Sequence, residues 1–202
     1  MKKFSSFNLI IALALCCFQL AQAQGNKEAA KYSREGFEAS QSKDWDKAVN
    51  AFRKATELDR KQTPNLVAAL QQRGVAYMDQ QQFPEALADF NEALKLKPND
   101  ANIHERRAYI EMKTNDYDKA LADYSEAINL KPNEVRYYLL RSYIYETKGD
   151  IKNSMADTEK ALKLDPGNAE AKSRKARLQA RQSAASPPVS SPKPAPPASK
   201  SP

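Results

Sequence analysis

Apolar and polar positions along the middle of the chain recur in register. Gly74-Val-Ala-Tyr77, Ala108-Tyr-Ile-Glu111 and Ser142-Tyr-Ile-Tyr145 each precede a block of matching pattern: ADFNEALKLKPN, ADYSEAINLKPN and ADTEKALKLDPGN. Gly74, Ala108 and Ser142 stand 34 positions apart each time. Each period predicts two helices. The second helix has its own start signal, with Asp44, Asp116 and Asp150 placed as N-caps and Pro84 tolerated in a first turn. Pro98, Pro132 and Pro166 stop it. Between Gly36 and Gly74 the spacing stretches to 38, and the surplus falls around Thr63-Pro64-Asn65-Leu66, so one joint is expected to be irregular.

Two antiparallel helices approach closely only where facing side chains are small and bulky neighbours fill the space above and below. Here Ala86 and Ala93 set the distance, while Tyr77 and Phe90 fill the gap. Such units cannot bury their faces alone, so the last one needs a terminal helix with a polar outer side. Asn168 to Gln182 supplies it, with Asn168 as N-cap and Leu178 among basic residues. In the fourth unit Ser154 and Thr158 replace apolar packers, and fraying is expected to begin there.

The 34-residue period and its small, aromatic and Pro landmarks resemble the tetratricopeptide repeat family. The small position of the first helix is Gly36, Gly74, Ala108 and Ser142; the early Ala of the second is Ala48, Ala86 and Ala120, with Ser154 departing. The aromatic is Phe52, Phe90 and Tyr124, with Thr158 departing, and a second small position is Ala55, Ala93, Ala127 and Ala161. The closing Pro is absent from the first unit, where Arg60 stands. The resemblance implies an all-α solenoid of about four helix-turn-helix repeats, at 29–62, 67–100, 101–134 and 135–168, closed by a capping helix at 169–182. These make one domain over 24–182, and the repeats cover about two-thirds of the chain.

The resemblance also implies a function: first helices of this family line a concave groove that takes a segment of another protein. Carried over, the lining is Ser33, Arg34 and Phe37; Gln71, Gln72 and Val75; Asn102, Glu105, Arg106 and Tyr109; and Arg136, Leu139, Leu140 and Tyr143. Phe37, Val75, Tyr109 and Tyr143 share one place and are expected to form an apolar stripe flanked by Arg34, Arg106 and Arg136. Aromatic and Arg anchors concentrate binding energy. Tyr109 and Tyr143 either serve this face or are partly buried between repeats. Members that hold chaperone C-termini carry a two-carboxylate clamp, and its places here hold Ser33, Phe37, Gln72, Asn102 and Arg106, of which only Arg106 matches. That ligand is rejected.

The two ends change the picture. Lys2 and Lys3, an apolar run from Leu9 to Leu20 and Ala21-Gln22-Ala23 read as a signal peptide over 1–23. The rival, a membrane anchor, needs about 20 apolar residues and this run is shorter. An exported protein is expected, periplasmic or secreted, in a bacterial envelope. Both cysteines fall inside the signal, leaving no disulfide or thiolate metal site beyond it. The tail over 183–202, SAASPPVSSPKPAPPASKSP, has too few apolar residues to fold and reads as a disordered Pro-rich spacer. Charge is uneven. Of 32 basic residues, two lie in the signal and seven from Lys172 onward, where no acid occurs; the 23 between face all 25 acids. The high pI therefore describes the end, and a second reading is a structural envelope protein whose basic end makes weak contact with an anionic surface. Basic and aromatic residues are not interleaved there, so no nucleic acid is expected.

Nothing in the pattern supports an enzyme, a metal or a cofactor. There is one His, no Gly-rich phosphate loop, and carboxylates that follow the repeat phase. His104 sits where Tyr32, Leu70 and Tyr138 stand in other repeats and is expected to be a packed imidazole. Arg73, Arg107 and Arg141 recur opposite Asp89, Asp123 and Asp157, while the first repeat has Glu35 and Ala51 and so lacks both partners. Each Arg is expected to brace its own repeat, with a coupling of at most about 1 kcal/mol if exposed.

Overall fold

The structure is a computed structural model that describes residues 6–185. Over these residues the chain is all helical: α1 (Ser6–Gln41), α2 (Trp45–Leu58), a 3-10 turn (Arg60–Gln62), α3 (Thr63–Asp79), α4 (Phe83–Leu96), α5 (Ala101–Lys113), α6 (Tyr117–Leu130), α7 (Val135–Thr147), α8 (Ile151–Leu164) and α9 (Ala169–Ala185). The greater part of the Pro-rich tail lies outside the described residues. No described helix is long and apolar enough to cross a membrane. Two compact units divide at Tyr137 and Tyr138, inside α7.

In the first unit α1 packs with α2, α3 with α4 and α5 with α6. The core runs through Ala48, Phe52, Leu70, Ala86, Phe90, Ala93, Ile103 and Ile110, all 2% exposed or less. The small positions act as the packing argument requires. A Cβ built on Gly36 would stand 2.8 Å from the Phe52 ring, and one on Gly74 would stand 2.8 Å from the Phe90 ring. The joint between the first two repeats is irregular as expected, with a 3-10 turn at Arg60–Gln62, and beside it falls a four-residue surplus. It is one more turn of α3, which has 17 residues against 13 in α5 and starts at Thr63 on the Pro64 that suits a first turn. Leu66 and Val67 of this stretch are buried, so the added turn is anchored to the core.

Capping is mixed. Asp44 accepts from the Lys47 amide at 3.1 Å and Asp150 from the Asn153 amide at 3.0 Å. Asp116 holds the N-cap place of α6, but its carboxylate turns to Lys119 Nζ instead of the backbone. Asp100, which the pattern did not mark, caps α5 through the Asn102 and Ile103 amides.

In the second unit the fourth repeat does not lack packing so much as replace it. Ser142, Ser154 and Thr158 are fully buried and bond one another, with Ser142 Oγ 3.1 Å from Ser154 Oγ and 2.8 Å from Thr158 Oγ1. Every hydroxyl in this group has a partner, which removes the usual penalty of a polar core. α9 begins at the expected cap, where Asn168 Oδ1 accepts from the Ala171 amide at 3.0 Å, and it buries Ala171, Arg174 and Leu178.

Candidate partner-binding face

The recurrent arginines are structural. Arg73 Nε and Nη2 donate to Asp89 at 2.8 and 2.6 Å, Arg107 to Asp123 at 2.6 and 2.7 Å, and Arg141 to Asp157 at 2.8 Å twice. Each pair lies within its own repeat. The carboxylates are nearly enclosed, at 4 to 8% side-chain exposure, so the ceiling expected for an exposed brace does not apply. These hydrogen bonds to Asp hold all three guanidinium groups above their ordinary pKa. The third nitrogen reaches the preceding repeat, from Arg73 Nη1 to Asp46 at 2.9 Å and from Arg107 Nη1 to Asn91 at 2.7 Å. A single Arg therefore ties a hairpin together and joins it to its neighbour.

His104 belongs to the same network. Its Nδ1 lies 2.9 Å from Asp123 Oδ1 and its Nε2 lies 2.9 Å from the Pro98 carbonyl, with the side chain 12% exposed. It is enclosed at a packing position as expected, but by polar contacts. Among the described residues no group of three or more His, Cys, Asp or Glu is placed to hold a metal ion.

The remaining first-helix residues of the first unit form a series of adjoining depressions. One of about 530 Å³ lies between α1 and the 3-10 turn and takes in Arg34, Phe37 and Gln62. The next, about 300 Å³, shares Phe37 and is walled by Trp45, Phe52, Asn65, Ala68 and Gln72. A third, about 510 Å³, shares Ala68 and Gln72 and reaches Thr63, Pro64 and Leu96. A separate one of about 430 Å³ is lined by Met78, Asn102, Glu105, Arg106, Tyr109 and Arg136. A further depression, about 720 Å³, runs along α1 between exposed charged side chains such as Lys27, Lys31 and Glu38 and has no second helix to close it.

Within the first unit the sequence-derived lining residues divide clearly. Arg34, Gln72, Arg106 and Arg136 are exposed, as are the rings of Phe37 at 51% and Tyr109 at 38%. Phe37 meets Phe52 edge-on at 5.1 Å between ring centroids. Arg136 pairs with Glu105, whereas Arg34 and Arg106 have no ion pair or hydrogen bond within the described residues. Val75 is half-buried against the core and lines none of these depressions, so the apolar stripe is interrupted there. Ser33 edges the depression of about 530 Å³ but offers little surface to a partner. It is buried and donates to Gln62. Trp45, Asn65 and Ala68 were missed, because Trp45 opens a second helix and the other two belong to the stretch where the repeat phase breaks.

In the second unit Tyr143 is 46% exposed, Leu140 is half-buried and Leu139 is buried, its carbonyl accepting from Arg174. The Arg174 guanidinium lies 5.8 Å from the Tyr143 ring centroid. The basic terminal helix is largely engaged by this unit itself. Arg174, Arg177 and Arg181 converge on Glu146 at 3.8, 2.8 and 3.5 Å, and Lys175 meets Glu159 at 2.9 Å. The hydrogen bond from Arg177 and the three positive charges hold the Glu146 carboxyl below its usual pKa.

Tetratricopeptide repeat family models match residues 35–101, 72–135 and 135–168. The heat shock protein STI1 of Saccharomyces cerevisiae is 38% identical over 71 residues, which is 35% of this chain and 12% of that protein. A tetratricopeptide repeat protein from Parabacteroides merdae superposes with a TM-score of 0.62 at 20% identity, over 78% of this chain and 61% of that one. The second TPR domain of human RPAP3, in complex with an HSP70 peptide, gives a TM-score of 0.51 at 21% identity, over 55% of this chain and 92% of that one.

Proposed function

Since the chain belongs to the tetratricopeptide repeat family, we propose that it is a protein-interaction adaptor, exported from the cytoplasm, that holds an extended segment of a partner on its first-helix face. The observation that carries this reading is Arg106 beside Tyr109: an exposed aromatic and an exposed, unpaired guanidinium lining one depression. Arginines with a structural task here are paired with acids, and a free one next to an aromatic is the type of anchor on which binding energy concentrates. The related RPAP3 domain carries a peptide, which supports a peptide-like occupant. The chaperone clamp is not supported, since Ser33 is buried and Asn102 accepts from Lys131 at 2.9 Å.

Export rests on the N-terminal pattern. The engagement of Arg174, Arg177, Arg181 and Lys175 with Glu146 and Glu159 leaves the terminal helix poorly suited to gripping an anionic surface. The test is capture from envelope extract with the full chain, with a variant carrying Tyr109→Ala, Tyr143→Ala and Arg106→Ala, and with a chain cut after Gln182. Partners lost in the first variant alone support the adaptor. Partners lost only on truncation would make the tail the working end. Amino-terminal sequencing of the protein recovered from the envelope, expected to begin at Gln24, tests export.

A further inference from the structure

We infer that the partner segment carries an apolar side chain that seats between α1 and α3 and an acidic side chain that meets Arg106; this rests on the adaptor reading and names its ligand chemistry. The apolar seat is the 300 Å³ depression. Its walls are the Phe37 and Phe52 rings, the half-buried indole of Trp45 and the methyl groups of Ala68 and Ala69. A pocket walled by three aromatic rings accepts the side chain of a Leu, Met or Phe, whose removal from water favours binding.

Its rim is of another kind. Ser40, Asn65 and Gln72 stand around it, and Asn65 is there only because α3 has one turn more than α5. Neutral amides and hydroxyls donate to and accept from a peptide backbone without preferring a charge. The rim therefore suits main chain and the centre suits one apolar side chain.

The charged end lies in the depression that holds Arg106. There Glu105 is neutralised by Arg136, Asn102 Oδ1 is taken by Lys131, and Arg106 is left without an acid. Arg34, beside Phe37, is in the same condition. Two unpaired, exposed arginines on this face are out of keeping with a body in which acids outnumber bases by 25 to 23. Charge complementarity selects a carboxylate, and the apolar seat excludes a uniformly charged polymer.

The chain's single tryptophan is a wall of the seat, so its emission reports occupancy. Random twelve-residue peptides displayed on phage are selected against the full chain, and the binders are synthesised and titrated while Trp45 emission is followed. The expected binders pair an apolar residue with Asp or Glu and shift the emission. Ala68→Phe, at an exposed position, fills the seat without adding a second indole and weakens them about tenfold or more. Arg106→Glu weakens them roughly tenfold and is rescued by changing the peptide's acid to Lys. Binders that need Tyr109 but lack an acid or leave the emission unchanged would overturn the inference and leave the adaptor standing. Binders indifferent to Tyr109, Ala68 and Arg106 would overturn both.

Discussion

The three Arg–Asp pairs are enclosed versions of a contact that would contribute little in water. Removing Asp123 strands a guanidinium already 24% exposed and also leaves His104 Nδ1 without its partner. A double-mutant cycle on Arg107 and Asp123, read by urea unfolding, is expected to give a coupling of about 1.5–3 kcal/mol, the range for hydrogen bonds to charged groups. A value near zero would show the pair to be solvated. Glu111 is the opposite case. It occupies the place of Tyr77 and Tyr145, is 6% exposed, and leaves Oε2 without a partner. Burial first, and then the charge of Asp123, pushes its carboxyl up to about 7. An acid raised in the folded state is neutral in both states below about pH 4.5 and costs stability progressively as pH rises toward 7. Glu111→Gln should therefore leave unfolding at pH 4 nearly unchanged and stabilise the protein at pH 8, by at most about 3 kcal/mol. Thermal melts at the two pH values check the sign.

At the level of the element, the four hairpin turns solve one problem with different residues. Lys43, Gln81 and Asn115 have φ of 58, 59 and 62°, and Gly149 has 79°. These are equivalent places, and only the last carries the residue that favours a left-handed backbone. A Cβ on Gly149 meets nothing within 4 Å, so Gly149→Ala tests the backbone alone. It is expected to cost about 1 kcal/mol in urea unfolding, and Gln81→Gly to gain up to about as much. Equal stability of both variants with the wild type would show that the turns are not strained. Helix positions were legible in the sequence because Gly36, Gly74, Phe52 and Phe90 face each other for reasons of size alone. The added turn of α3 was legible only as a surplus of four residues, since spacing counts residues without saying whether they wind or loop. Asp116 holds the N-cap place as expected, but its missing backbone bond was not legible: an N-cap residue next to a first-turn Lys has two competing donors, and residue type alone does not rank them.

At the scale of the molecule, charge and partner surface separate. The formal net charge of +7 resides at the two ends, and Glu146 and Glu159 offset two of the five positive charges that Lys172, Arg174, Lys175, Arg177 and Arg181 place on the terminal helix. The candidate face was half legible. The family resemblance, carried over repeat by repeat, marked Phe37, Arg106 and Tyr109, but it places the lining on first helices at recurring positions and so has nothing to say of Trp45 or Asn65. The physical character of the face follows from what was found there: an apolar seat gives affinity that salt does not screen, and one exposed Arg gives a contribution of about 1 kcal/mol that salt does. Partner affinity measured by titration between 50 mM and 500 mM salt, about the range over which exposed pairs become screened, should fall by no more than roughly fivefold. A fall of a hundredfold would require many simultaneous charge contacts. Among the described residues of the terminal helix only Lys172 is not paired with an acid, and the exposed cations of the first-helix face are few. Such a result would therefore place the working contact on a polyanion and not on a peptide.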